Sequence, residues 1–214
     1  MGFSQLFSDR ADAGAQLAEA LREREIDADV VLAIPRGGLP LGRAVANALD
    51  AELDVVVAKK IGAPGNPEYA IGAVTSNGTV WRNEAALRRG GSDDAYFEQQ
   101  WEKEAESARR KAERYRGPNT ELDVAEKEVV VVDDGVATGS TVRACLRQLR
   151  QMNPTRLTLA VPVGPPSTIR ELEELADEVV CLQAPTNFRA VGQYYRRFDQ
   201  VSDEEAITYL QTDE

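Results

Sequence analysis

Five short apolar runs, at residues 30–34, 53–58, 129–132, 157–161 and 179–182, set the strongest limit on how this chain can fold. Each has the length of a strand, and the run at 129–132 is four consecutive valines. The stretches between them carry apolar or small residues at three- and four-residue steps. Ala13, Leu17, Ala20 and Leu21 predict a helix over 10–25, and Phe97, Trp101, Ala105, Ala108, Ala112 and Tyr115 predict a long amphipathic helix over 93–116. Further helices are predicted at 41–49 and 141–152, one near 167 with Ser167 as its cap, and a last short one opened by a Ser202/Glu205 capping box. Gly37-Gly38 and a Gly/Pro loop at 62–67 break the pattern. Strands alternating with helices predict an α/β fold, a doubly wound parallel sheet covered on both faces, with ligands at the carboxyl ends of its strands.

Composition removes several kinds of chemistry. The 214 residues include no histidine, which excludes Ser-His-Asp and Cys-His catalysis and histidine-ligated zinc. Acid-base or metal chemistry then falls to carboxylates, Lys, Tyr or the backbone. The cysteines, Cys145 and Cys181, are too few for a disulfide framework or a zinc site, and both thiols are expected in the core. With 25 Lys plus Arg against 36 Asp plus Glu the net charge is −11, which disfavours nucleic acid and anionic membranes as partners. Lysine is scarce: only Lys59, Lys60, Lys103, Lys111 and Lys127. An acidic, lysine-poor chain fits either a halophilic protein of a salt-rich cytoplasm or an ordinary acidic one. No leader-like or membrane-length apolar segment stands in the sequence, so the expected location is cytoplasmic.

The most informative string starts at the valines: Val129-Val130-Val131-Val132-Asp133-Asp134-Gly135-Val136-Ala137-Thr138-Gly139-Ser140-Thr141. A buried strand delivers two carboxylates to its end, and the next turn offers N–H groups and hydroxyls at a helix start, where phosphate is favoured. Carboxylates beside a phosphate cradle suit a sugar phosphate, whose hydroxyls and divalent metal need acceptors while its phosphate needs donors. For the acidic pair alone, an ordinary Asp-Asp turn with a Thr/Ser helix cap is the simpler reading.

The whole string resembles the phosphoribosyl diphosphate binding motif of the type I phosphoribosyltransferases, with Gly135 standing where an apolar residue is usual. Ala33-Ile34-Pro35-Arg36-Gly37-Gly38 looks like that family's pyrophosphate loop, where relatives often carry a non-proline cis peptide. The segment from Lys59 to Val74 looks like the mobile loop of an uncharacterised subgroup, and the similarity continues through Phe188-Arg189-Ala190-Val191-Gly192 and residues 198–205. The resemblance implies one domain over 1–214, with a helical insertion near 93–116 and a small C-terminal hood or tail near 184–214.

It implies Mg²⁺-dependent transfer of the ribose 5-phosphate group of phosphoribosyl diphosphate to a small nitrogenous acceptor, with release of pyrophosphate. The fold also serves non-catalytic regulators that bind phosphoribosyl diphosphate or nucleotides, and relatives are commonly homodimers. Asp133 and Asp134 are the expected catalytic and metal-facing carboxylates, the metal being held mostly through water or substrate. Gly135, Val136, Ala137, Thr138, Gly139, Ser140 and Thr141 form the phosphate side of substrate binding, and Arg36, Gly37 and Gly38 the pyrophosphate side. Lys59 and Lys60 end a strand and point to opposite faces, so one of them reaches the pyrophosphate; Lys60 stands as a catalytic candidate and Lys59 as a binding one. Ala137 occupies the position where enzymes acting on 6-oxopurines usually place an acid. Phe188, Tyr194 and Tyr195 are candidates for stacking on a base or for core packing. Tyr69 is a candidate to close over the ribose or a plain surface turn.

Overall fold

A computed structural model of the protein describes residues 7–89, 94–117 and 121–211. The expected helix start at Asp93, and residues 212–214 of the C-terminal tail, lie outside these. Helix α1 (Arg10–Glu23) begins at Asp9, whose carboxylate accepts from Asp12 N at 3.0 Å. Strand β1 (Val30–Ala33), helix α2 (Gly38–Leu49) and strand β2 (Glu52–Val55) follow. Then come β3 (Ala58–Ala63), β4 (Asn66–Thr75), β5 (Val80–Arg82), α3 (Glu84–Arg89) and α4 (Asp94–Arg116). The chain continues through β6 (Glu128–Val132), α5 (Ser140–Gln151), β7 (Arg156–Val163), α6 (Pro166–Leu172) and β8 (Glu178–Gln183). A 3-10 turn (Val191–Tyr194) and α7 (Asp203–Leu210) close it.

The main sheet is parallel throughout, in the order β2-β1-β6-β7-β8. Alternate side chains of its central strand feed opposite layers: Val129 and Val131 pack with Leu146 and Leu149 of α5, while Val130 and Val132 pack with Leu17 and Leu21 of α1 and Val45 of α2. The chain leaves β1 toward β2 in one direction and β6 toward β7 in the other, so the strand order reverses between β1 and β6. Crevices for ligands open at such a reversal, outside the carboxyl ends of the strands.

Several expectations are corrected. The segment at 62–67 is not an open loop: β3 and β4 pair antiparallel with a tight turn at Pro64 and Gly65, and β5 adds to β4 as a second, three-stranded sheet. The apolar run at 53–58 is cut after Val55, because β2 ends in the main sheet and Ala58 already belongs to the second. Phe97, Ile61, Ile71, Val74 and Leu87 give that second sheet its own apolar cluster, with Trp101 packed at its edge. Ser167 does not cap α6, which starts with Pro165 at the N-cap and Pro166 as its first residue. Cys145 is buried but Cys181 is partly exposed, because β8 is an edge strand. Ser202 does cap α7, its hydroxyl accepting from Glu205 N at 3.0 Å.

Candidate functional site

Register builds the site. Ala33 pairs with Val132, so the loops leaving β1 and β6 emerge side by side, and Ile34 N extends the ladder by donating to Val132 O at 2.8 Å. The Pro35-Arg36 peptide is cis. Contact between the loops is so close that only glycine fits. A Cβ on Gly37 would stand 2.0 Å from Asp134 Oδ2, and one on Gly38 2.6 Å from Val132 O. The loop carrying Arg36, Gly37 and Gly38 thus packs directly against the end of β6, where Asp133 and Asp134 stand.

The two carboxylates have different surroundings. Asp133 Oδ1 accepts from Asp134 N at 2.9 Å, and Asp133 forms no ion pair among the described residues. Asp134 Oδ2 accepts from Arg10 Nε at 2.9 Å, with both side chains about 15% exposed or less. Arg10 also donates to Asp199 O at 2.6 Å and lies 3.9 Å over the Phe198 ring, so α1 and the C-terminal segment hold it jointly. The Tyr195 hydroxyl donates to Asp134 O at 2.6 Å. Burial, and the Asp134 charge beside it, hold the Asp133 carboxyl well above the usual carboxylate range. Burial raises Asp134 as well, with Arg10 opposing that rise.

Gly135, the departure from the family pattern, has a physical reason. Its φ of +149° lies in a region side-chain-bearing residues avoid, and a Cβ there would meet Val191 Cγ1 at 2.6 Å. Val136 is buried, and its N–H donates to Val163 O at 2.8 Å, tying the loop to β7. Ala137 and Thr138 are exposed, Gly139 and Ser140 are buried, and Thr141 lies in the first turn of α5. The Thr138 and Ser140 hydroxyls are 3.1 Å apart, and Thr168 of α6 donates to Ala137 O at 3.0 Å. The opening N–H groups of α5 lack intrahelical acceptors, so this turn presents donors at the positive end of a helix dipole.

Lys59 and Lys60 act on different groups. Lys60 Nζ pairs with Glu68 Oε2 at 3.0 Å across the β3–β4 hairpin. The Lys59 charge acts on the Lys111 ammonium of α4. Lys111 Nζ donates to Pro35 O at 3.2 Å, which brings the long helix to the Arg36 loop. Arg36 is 3.7 Å from Asp203, whose carboxylate also accepts from Tyr115 at 2.6 Å and Arg114 at 2.7 Å.

Sequence reasoning missed Arg10, Lys111, Thr168 and Asp203. Charged residues on an amphipathic helix face look solvated, and only long-range packing aims these four at the two loops. The aromatic candidates divide. Tyr194 and Tyr195 are 3% and 2% exposed and belong to the core, with Phe188 stacked on Tyr194 at 5.4 Å. Tyr69 is exposed on the hairpin.

Among the described residues, no group of three or more Asp, Glu or Cys is placed to hold a metal by itself, and no helix is long and apolar enough to cross a membrane.

The family model described as a phosphoribosyl transferase domain matches residues 4–199. Two Mycobacterium tuberculosis proteins, from strains CDC 1551 / Oshkosh and H37Rv, carry provisional names as phosphoribosyl transferases. Each is 41% identical over 206 residues, covering 96% of this chain and 46% of its own length. The chain therefore spans about half the length of these curated relatives. The crystal structure of TT1426 from Thermus thermophilus is 44% identical, with a TM-score of 0.80 over 95% of this chain and 97% of that one. AQ2163 from Aquifex aeolicus, at 14% identity and a TM-score of 0.51 over 94% of this chain and 85% of that one, shares the fold.

Proposed function

Because this chain belongs to the phosphoribosyl transferase domain family, we propose that it moves the ribose 5-phosphate group of phosphoribosyl diphosphate to a nitrogenous acceptor, a nucleobase or related amine, with release of pyrophosphate. The observation that carries this reading is the contact between two loops at the reversal of strand order. One loop offers helix-start donors beside two carboxylates, and the other offers Arg36 with two glycines packed against Asp134.

Each part has a task. The backbone of Ala137, Thr138, Gly139, Ser140 and Thr141 receives the 5′-phosphate, with Thr168 fixing the turn. Arg36 and the Gly37 and Gly38 amides receive the pyrophosphate, and Asp133 accepts from the ribose hydroxyls. Arg10 and Tyr195 fix Asp134 at the ring's edge. The acceptor nitrogen attacks the anomeric carbon as the bond to the pyrophosphate oxygen breaks, that oxygen keeping the electron pair while the acceptor's N–H proton passes to the pyrophosphate or to water. Positive charge then grows on the ribose, and the Asp133 and Asp134 carboxylates stabilise it.

The donor set suits Mg²⁺, which takes few protein carboxylates and prefers substrate phosphates and water. Asp133 forms no ion pair among the described residues, and its proximity to Asp134 is a repulsion that a cation relieves. When bound, Mg²⁺ supplies neutralisation of the departing pyrophosphate.

Pyrophosphate release from phosphoribosyl diphosphate, measured with Mg²⁺ across a panel of nucleobases and amines, tests this reading. Release with at least one acceptor is expected, and guanine and hypoxanthine are expected to be poor ones because Ala137 offers no carboxylate. Binding of phosphoribosyl diphosphate without release from any acceptor would favour a non-catalytic sensor on the same fold.

A further inference from the structure

Lys111 sits on α4, a helix that the sequence pattern assigns to packing, yet its ammonium reaches Pro35 O beside Arg36. An ammonium has three donors, and among the described residues this one donates to that carbonyl alone, which leaves two for a ligand. The charges that act on it come from four segments: Lys59 from β3, Asp203 from the start of α7, Arg36 from the loop after β1 and Asp133 just after β6. Asp203 is already shared among Tyr115, Arg114 and Arg36. Three cations, Lys111, Lys59 and Arg36, thus meet two carboxylates, one of them already shared, in a chain whose net charge is −11. Burial first, then the Lys59 charge, lower the Lys111 ammonium to about 8, as expected of a positive site without its counter-ion.

We propose that Lys111 is a third cationic arm of the pyrophosphate site, acting with Arg36 and Lys59 from the long helix between the two sheets. The proposal rests on the phosphoribosyl diphosphate reading above. It makes α4 part of the binding surface. A pyrophosphate carries several charges at once, and an ammonium with two open donors meets its oxygens through charge-assisted hydrogen bonds.

The test is calorimetric binding of pyrophosphate with Mg²⁺ to the parent protein, to Lys111→Met and to Lys111→Arg, each with a ligand-free melt. Removing one charge-assisted contact should weaken binding in the Met variant by roughly tenfold or more, while Arg restores most of it. If the parent binds and the Met variant binds within about threefold of it, this inference fails and the broader reading stands. If the parent binds no pyrophosphate, both fail. Equal weakening in both variants with parental melts would overturn the ionic role. Should the Met variant not fold, lysine-labelled carbon NMR on the parent decides. One of its five lysine signals, identified by its loss in Lys111→Arg, should titrate near 8 and move upward with pyrophosphate, and an unmoved midpoint would overturn the proposal.

Discussion

Asp133 and Asp134 are adjacent in sequence but differ in surroundings, and their substitution should show it. Under the proposed transfer, Asn at Asp133 keeps the shape and removes the charge assigned to stabilise the reacting ribose, so turnover should fall by about hundredfold or more. Its ligand-free melt should hold or rise, and the sign follows from linkage. Burial and Asp134 raise the folded-state pKa of Asp133, so ionisation costs folding free energy once the pH exceeds that of the unfolded group, and Asn removes the cost. Asn at Asp134 should gain less in its ligand-free melt, because Arg10 opposes the rise that burial causes and the substitution removes that pairing. Turnover assays and thermal melts on the two single variants check both outcomes. The carboxylates were legible in the sequence because they end a run of valines. Arg10, 124 residues away, was not, since nothing local to it signals a partner.

At the scale of elements, the parallel sheet was legible wherever an apolar run was unbroken. The second sheet was not, because Gly62, Pro64, Gly65 and Pro67 carry the signature of a loop while their flanks pair across a turn between β3 and β4. The helix over α4 was readable from its spacing, but which polar residues it would aim inward depends on β3 and α7 packing against it. Helix α7 offers a clean test of such coupling. Ser202 caps it, and its first residue, Asp203, gathers Tyr115, Arg114 and Arg36. Ser202→Ala should cost about 1 kcal/mol, a drop of about 2–4 °C in melting temperature for a chain of this size, and Ser202→Asp should recover it. Because Asp203 also steadies Arg36, the Ala variant should raise KM for phosphoribosyl diphosphate more than it lowers kcat.

The whole molecule carries a net charge of −11 while its five lysines include two, Lys59 and Lys111, near the Arg36 loop. Repulsion among the remaining surface carboxylates should weaken the fold at low ionic strength. Salt relaxes it by shortening the Debye length from about 10 Å at 0.1 M to about 3 Å at 1 M. Melting temperature should climb across a KCl series, and a flat or falling series would contradict the halophilic reading. The proposed transfer depends on one placement, that of the sugar phosphate between the loops after β1 and β6. Diffraction from crystals soaked in ribose 5-phosphate tests it most directly. Phosphate density is expected against the Ala137 to Thr141 backbone, with the ribose hydroxyls turned toward Asp133. Phosphate bound consistently elsewhere, with that turn empty, would contradict it.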